Sequence, residues 1–212
     1  MGNANMGNVN TARITIGVLA LQGAFSSHER AFARAREGVT TRQVRLPRDL
    51  DGVDALAMPG GESTTMSQLL ESSGLFDAIG ARIASGMPVF GTCAGVILLA
   101  NSVLDGRDDQ RSFASLNVTV RRNGYGRQID SFESNIEVMG LEAPFPAVFI
   151  RAPIIESVGA DVQVLASHDG VPVAVATDRI VGITFHPELT DDPRLHGLFV
   201  DRVVGSLTTN RR

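Results

Sequence analysis

The chain of 212 residues contains no lysine; all 19 of its basic side chains, the four histidines apart, are arginines. That absence removes a P-loop lysine, a Schiff-base lysine and an aldimine link to pyridoxal phosphate from its chemistry. Tryptophan is also missing, Tyr125 is the sole tyrosine and the net charge is −4, so a nucleic-acid binder's basic face and stacking aromatics are lacking. No apolar run approaches the ~20 residues of a membrane helix. The early run Ile14 to Leu21 is short and broken by Gly17. Cys93 is the only cysteine, which excludes intramolecular disulfides and multi-cysteine metal sites. No two histidines stand at metal-ligand spacing, so no metal is expected. The first dozen residues lack the basic start and apolar core of a signal peptide, and Met6 stands where a myristoylation motif wants Ser or Thr. Residues 1–12 are therefore expected to be a disordered extension, residues 13–207 one domain, and the cytoplasm its location.

What is present alternates. Ile14–Leu21 reads as a strand covered on both faces, followed by a helix over His28–Arg36. Val44–Leu46 and Ala55–Met58 read as strands, the second halted by Pro59-Gly60-Gly61. Ser63 or Thr64 suits the cap of a helix through Leu69 and Leu70. A helix over Leu75–Ala84, a strand over Met87–Phe90 and a buried helix over Val96–Ala100 follow. The pattern predicts an α/β fold, a flavodoxin-like three-layer sandwich with a mostly parallel sheet between helices. From Leu116 onward strand-like stretches dominate: Val118–Val120, Ala147–Ile150, Val162–Ala166, Val171–Ala176 and Ile180–Phe185. Asp169-Gly170 marks a hairpin, so antiparallel pairs are expected here. Asp105–Arg111 reads as a surface loop and Pro193–Val204 as a closing helix.

The strongest local signal is Gly91-Thr92-Cys93-Ala94-Gly95 between an apolar strand and an apolar helix. A nucleophile on a sharp strand-to-helix turn needs small neighbours, and this is that elbow with sulfur in place of oxygen. A lone cysteine is more often a small buried residue, but paired glycines favour the elbow. A helix end supplies ~0.3–1 kcal/mol, less than the ~1.4 kcal/mol that moves a thiol pKa by one unit, so a base is required. His186, in Phe185-His186-Pro187-Glu188, is the candidate. It follows an apolar strand, and in an extended segment Glu188, two residues on, points the same way and can accept from its second ring nitrogen. His28, His168 and His196 have no comparable setting and read as structural or exposed. Consecutive glycines at Gly60 and Gly61 let backbone N–H groups approach a ligand, and Gly61 with the amide of Ala94 would form an oxyanion hole.

Together these pieces resemble the class I (triad-type) glutamine amidotransferase family, and most of all its vitamin B6 branch. The segments that carry the likeness are Gly17-Val-Leu-Ala-Leu-Gln-Gly23, Pro59-Gly-Gly-Glu-Ser-Thr-Thr-Met66 and Gly91-Thr-Cys-Ala-Gly95, then Arg121-Arg-Asn123, Gln128-Ile-Asp-Ser-Phe-Glu133, Val148-Phe-Ile-Arg-Ala-Pro153 and Phe185-His-Pro-Glu-Leu-Thr190. The resemblance implies that Cys93 attacks the amide of L-glutamine to give a glutamyl thioester, with His186 as general base then acid and Glu188 orienting it. It implies that Gly61, Glu62, Ser63, Arg122, Ile150 and Arg151 hold glutamine, Arg122 suiting the α-carboxylate. No cofactor is implied. Ammonia would pass to a barrel-shaped synthase that makes pyridoxal 5′-phosphate, within a large hetero-oligomer, and the missing lysines fit that division of labour. Docking of the synthase would complete the oxyanion loop, with Gln22 near the contact. Tyr125, where Phe is common, and the charged Asp105–Arg111 loop depart mildly from the family's pattern. The rival readings are a glutaminase serving another synthase, a cysteine hydrolase on the same sheet, and a silent scaffolding subunit.

Overall fold

The computed structural model describes residues 13–107, 109–122 and 131–209. The extension at 1–12, Tyr125, and the motif residues Asn123 and Gln128 lie outside them. A seven-stranded sheet runs through the centre, its strands side by side in the order Gln163–His168, Val171–Ala176, Ile180–Ile183, Val89–Thr92, Ala55–Met58, Ile14–Leu19 and Val39–Val44. Its parallel part comprises β1 (Ile14–Leu19), β2 (Val39–Val44), β3 (Ala55–Met58), β4 (Val89–Thr92) and β12 (Ile180–Ile183). β10 (Gln163–His168) and β11 (Val171–Ala176) extend it antiparallel. The expected α/β architecture, with antiparallel strands in the later half, is thus the one found.

The central strands are buried on both faces, and their side chains alternate between two cores. On one face Leu56, Met58 and Val89 pack with Leu70, Ile79 and Val96 from α2 (Ser63–Ser72), α3 (Leu75–Ala84) and α4 (Ala94–Leu99). On the other, Ala55, Ala57, Phe90 and Val181 pack with Phe32 of α1 (Phe25–Ala35) and Phe199 of α5 (Arg194–Thr209). Two small sheets flank this frame: β5 (Ala100–Leu104) with β6 (Leu116–Arg121) and β9 (Ile154–Val158), and β7 (Phe132–Ile136) with β8 (Phe145–Phe149).

Several boundaries differ from the expectation, for identifiable reasons. α1 begins at Phe25, three residues before the predicted start at His28, so that Phe25, His28, Phe32 and Ala35 share one stripe. β2 occupies Val39–Val44 in place of Val44–Leu46; it is an edge strand, and its central residues Thr40, Thr41, Arg42 and Gln43 are polar because one side faces solvent. The helix expected over Val96–Ala100 starts at Ala94, and Ala100 already belongs to β5. The apolar runs after Leu19 and Ile183 continue past their strands, because Ala20 and Phe185 are buried beyond the last strand residues. β5, β7 and β9 were not anticipated; each is five residues long with polar positions inside it. The final helix is longer than predicted and ends at Thr209.

The Asp169-Gly170 hairpin is present, joining β10 to β11 with positive φ at both residues, +49° and +78°. A Cβ on Gly170 would meet nothing within 4 Å, so only the backbone conformation would be penalised there. Gly170→Ala is expected to lower unfolding stability by about 1 kcal/mol, read as a lower urea midpoint at unchanged slope. An unaltered midpoint would mean the turn relaxes without cost.

Candidate active site

β3, β4 and β12 end side by side, and the chemistry-bearing residues lie just beyond their carboxyl ends, where open α/β sheets gather ligands. Cys93 follows β4 and has φ +48° and ψ −104°, a conformation that costs an L-residue of order 1–3 kcal/mol. The surroundings impose it. Its N–H donates to the Ile183 carbonyl at 2.8 Å, tying the turn to β12. A Cβ on Gly91 would lie 2.6 Å from Leu99 Cδ1, and one on Gly95 would lie 2.2 Å from the Met58 carbonyl oxygen. The two glycines of the elbow are therefore required by the packing of α4 on β3 and β4.

His186 lies three residues past β12 and donates its backbone N–H to the Val148 carbonyl of β8 at 2.8 Å. Its Nδ1 stands 2.8 Å from Glu188 Oε1. The pairing is as expected, but the backbone is not. Pro187–Leu189 forms a single 3-10 turn, and that turn, not an extended segment, brings the carboxylate under the ring. The ring also lies beside the Cys93 side chain, and both crowd the Cα of Gly60. Burial pulls the His186 pKa down, but the hydrogen bonds to Cys93 and Glu188 and the charges of both outweigh it, and the ring is pushed up to about 10. Burial raises Glu188, and the His28 and His186 rings beside it more than reverse this, holding the carboxyl below its ordinary range. At neutral pH the site therefore holds an imidazolium between sulfur and carboxylate. α4 has only six residues, so its dipole is a minor contributor.

The glycine loop closes the opposite side. A Cβ on Gly60 would lie 2.4 Å from His186 Cε1 and 3.2 Å from Cys93 Cβ, so only glycine allows this approach. A Cβ on Gly61 would strike Gln22 Oε1 at 2.8 Å, and Gln22 accepts the Glu62 N–H at 3.0 Å, so the loop after β1 pins the loop after β3. Glu62, rather than Ser63 or Thr64, caps α2: its carboxylate accepts from Thr64 N at 3.0 Å and Thr65 N at 2.7 Å. Ser63 is already helical and buried. Burial opposes ionisation of Glu62, but these hydrogen bonds and that from the Thr65 hydroxyl prevail, and its pKa falls to about 2. Glu62 also accepts from Arg122 Nη2 at 2.8 Å. A guanidinium carries five N–H donors, so this leaves Arg122 capacity for a second carboxylate. Ile150 and Arg151 follow β8, two and three residues beyond the carbonyl that holds His186, with Arg151 at φ +45°.

Of the expected residues, His186 meets Glu188 and Cys93, the glycine loop approaches them through Gly60, and Glu62 with Arg122 forms a pair at the start of α2. His28, read as structural or exposed, takes the structural place. It is fully buried, with Nε2 3.4 Å from Glu188 Oε2 and Nδ1 3.0 Å from His196 Nε2. The stripe Phe25, His28, Phe32, Ala35 placed it on the apolar face of α1, a signal present in the sequence; its partners were not. His196 is likewise buried, whereas His168 stacks on Phe149 near the β10 end.

A family model described as the SNO glutamine amidotransferase family matches residues 18–205. Pyridoxal 5′-phosphate synthase subunit PdxT of Streptomyces avermitilis is 50% identical over 194 residues, covering 91% of this chain and 96% of the relative. The subunit of the same name from Salinispora tropica is 51% identical over 194 residues, covering 89% and 96%. A crystal structure of a glutamine amidotransferase superposes with a TM-score of 0.83 at 43% identity, covering 89% of this chain and 98% of that one.

The raised pKa of His186 depends on the sulfur beside it. In ring-resonance titrations by NMR, the His186 imidazole should stay protonated through neutral pH, and Cys93→Ala should lower its pKa, since burial then opposes the charge with Glu188 alone in its favour. An unchanged titration would show that the two side chains are not coupled.

Proposed function

The chain belongs to the SNO glutamine amidotransferase family, and from that premise we infer that it hydrolyses L-glutamine to L-glutamate and ammonia as the glutaminase subunit of a pyridoxal 5′-phosphate synthase. Its relatives carry that subunit's name over nearly their whole length. The observation that supports the chemistry best is the order of contacts: a thiol on a strained elbow, an imidazole against it, and a buried carboxylate holding the imidazole's far nitrogen at 2.8 Å.

In this reading Cys93 Sγ attacks the side-chain amide carbon of glutamine. The developing oxyanion is met by the N–H groups of Gly61 and Ala94 once the docked synthase has completed the glycine loop. The imidazolium of His186 gives its proton to the amide nitrogen, the C–N bond breaks and ammonia leaves a glutamyl thioester. The now neutral ring takes a proton from water, which attacks the thioester carbon and frees glutamate and the sulfur. Glu188 holds the ring in one tautomer throughout. Arg122, steadied by Glu62, takes the substrate's α-carboxylate, while Ser63, Ile150 and Arg151 border the same space. The mechanism needs a reduced thiol, and we place it in the cytoplasm, where thiols stay reduced. No helix among the described residues is long and apolar enough to cross a membrane. The ammonia passes to the synthase subunit, which supplies the lysine chemistry that this chain lacks.

Glutamate release by the purified chain should be low alone and rise clearly when the synthase subunit is added, and Cys93→Ala should lower the stimulated rate by at least ~10⁴-fold. Equal rates with and without the synthase would point to another acceptor. Retained turnover in Cys93→Ala would remove the sulfur from the reaction.

A further inference from the structure

Glu188 is 4% exposed, and its two oxygens are unequally served. Oε1 accepts from His186, while Oε2 has no partner in hydrogen-bond geometry among the described residues. A buried carboxylate oxygen without a donor is costly, and the catalytic acid of a triad must be both ionised and fixed. The ring of His28 stands at that oxygen. Its Nε2 lies 3.4 Å from Glu188 Oε2 and 3.2 Å from Thr92 Oγ1, and its Nδ1 lies 3.0 Å from His196 Nε2.

Two facts select the tautomer. With its proton on Nε2, His28 donates toward Glu188 and Thr92 and accepts at Nδ1 from the His196 Nε2–H. His196 Nδ1, buried without a partner, is then a bare lone pair. With the opposite arrangement a bare His28 Nε2 would face the carboxylate, and His196 Nδ1 would become a buried N–H with no acceptor, the rarer and costlier defect. Burial holds both His28 and His196 below the ordinary range, with Glu188 raising His28 and His186 lowering it, and with His28 and Arg34 lowering His196 further. Burial thus opposes a charge on either ring, and in this tautomer His28 offers Glu188 a ring N–H whether or not it is charged.

We propose that His28 is a positioning residue for glutamine hydrolysis: held in one tautomer by His196, it donates from Nε2 to the second oxygen of Glu188 and so keeps the acid ionised and aligned under His186. Contacts of this kind are long in an empty site and tighten in the substrate complex. The proposal rests on reading Cys93, His186 and Glu188 as the triad.

The test is made on the complex with the synthase subunit. His28→Leu keeps the apolar packing and removes the donor; His28→Gln returns an N–H near the Nε2 position. The expected result is a fall in kcat of ~10–100-fold for His28→Leu with KM nearly unchanged, the loss typical of a hydrogen bond to a charged group. The acid limb of the kcat/KM profile should move to higher pH, because Glu188 then protonates more readily, and His28→Gln should recover most of both. A purely packing role predicts that the two variants are alike and that the acid limb stays in place, which would overturn the inference. Should His28→Leu not fold, His196→Phe decides in the same way: it keeps an aromatic ring against Phe32 and Phe90 but removes the donor that sets the tautomer, and an unmoved acid limb there overturns the inference equally. Cys93→Ala, run alongside, separates the outcomes, since an inactive Cys93→Ala with unaffected His28 variants leaves the triad standing and removes this inference alone.

Discussion

At the carboxyl ends of β3 and β4 two stretches of backbone approach so closely that one added Cβ would part them. Gly95 presses on the Met58 carbonyl and Gly60 on the ring of His186. Close-packed interiors do not deform continuously, so a methyl group here must shift a strand end or the elbow itself. The strained φ of Cys93 goes with the first approach and the nearness of His186 to the elbow with the second. The central sheet supplies the rigidity: β3, β4 and β12 are buried along their whole length and fix the three strand ends relative to one another.

The second determinant is how charge is carried inside the protein. Moving an ion out of water costs several kcal/mol even after relaxation, and a buried pair repays this only with good geometry and further hydrogen bonds. Glu188 meets the condition through the imidazolium at one oxygen. Glu62 illustrates the opposite regime. It is half exposed, ends α2, and is held ionised by backbone amides and a threonine hydroxyl more than by its arginine. One carboxylate lies deep beside a histidine ring, whereas the other lies shallow and caps a helix.

Much of this was readable in the chain. The elbow declared itself because packing forces glycine on both sides of Cys93, and the Asp169-Gly170 turn because positive φ at two successive residues restricts the choice. The parallel strands were legible through continuous apolar runs. The edge strand β2 was misplaced because a strand paired on one side carries a weak pattern, and β5, β7 and β9 were missed because five residues with polar positions resemble loops. The cap of α2 was assigned to Ser63 or Thr64, the usual caps, while the longer Glu62 side chain reaches back to the same amides. The Glu188 contact was foreseen on a wrong backbone, since spacing alone does not separate an extended turn from a 3-10 one. His28 and His196 lie 168 residues apart, and nothing in either local context marks the other.

The meeting of α1 and α5 at these two histidines gives the site a blind side that is dry only while both helices stay seated. α5 closes the fold late in the chain, and helices at such positions open at lower free energy than central strands. An excursion of α5 that left the parallel sheet intact would admit water to the far oxygen of Glu188 and loosen the acid from behind. Turnover would then be lost on warming before the sheet itself melts, and heat inactivation of this protein would report the seating of a terminal helix, not the survival of its core.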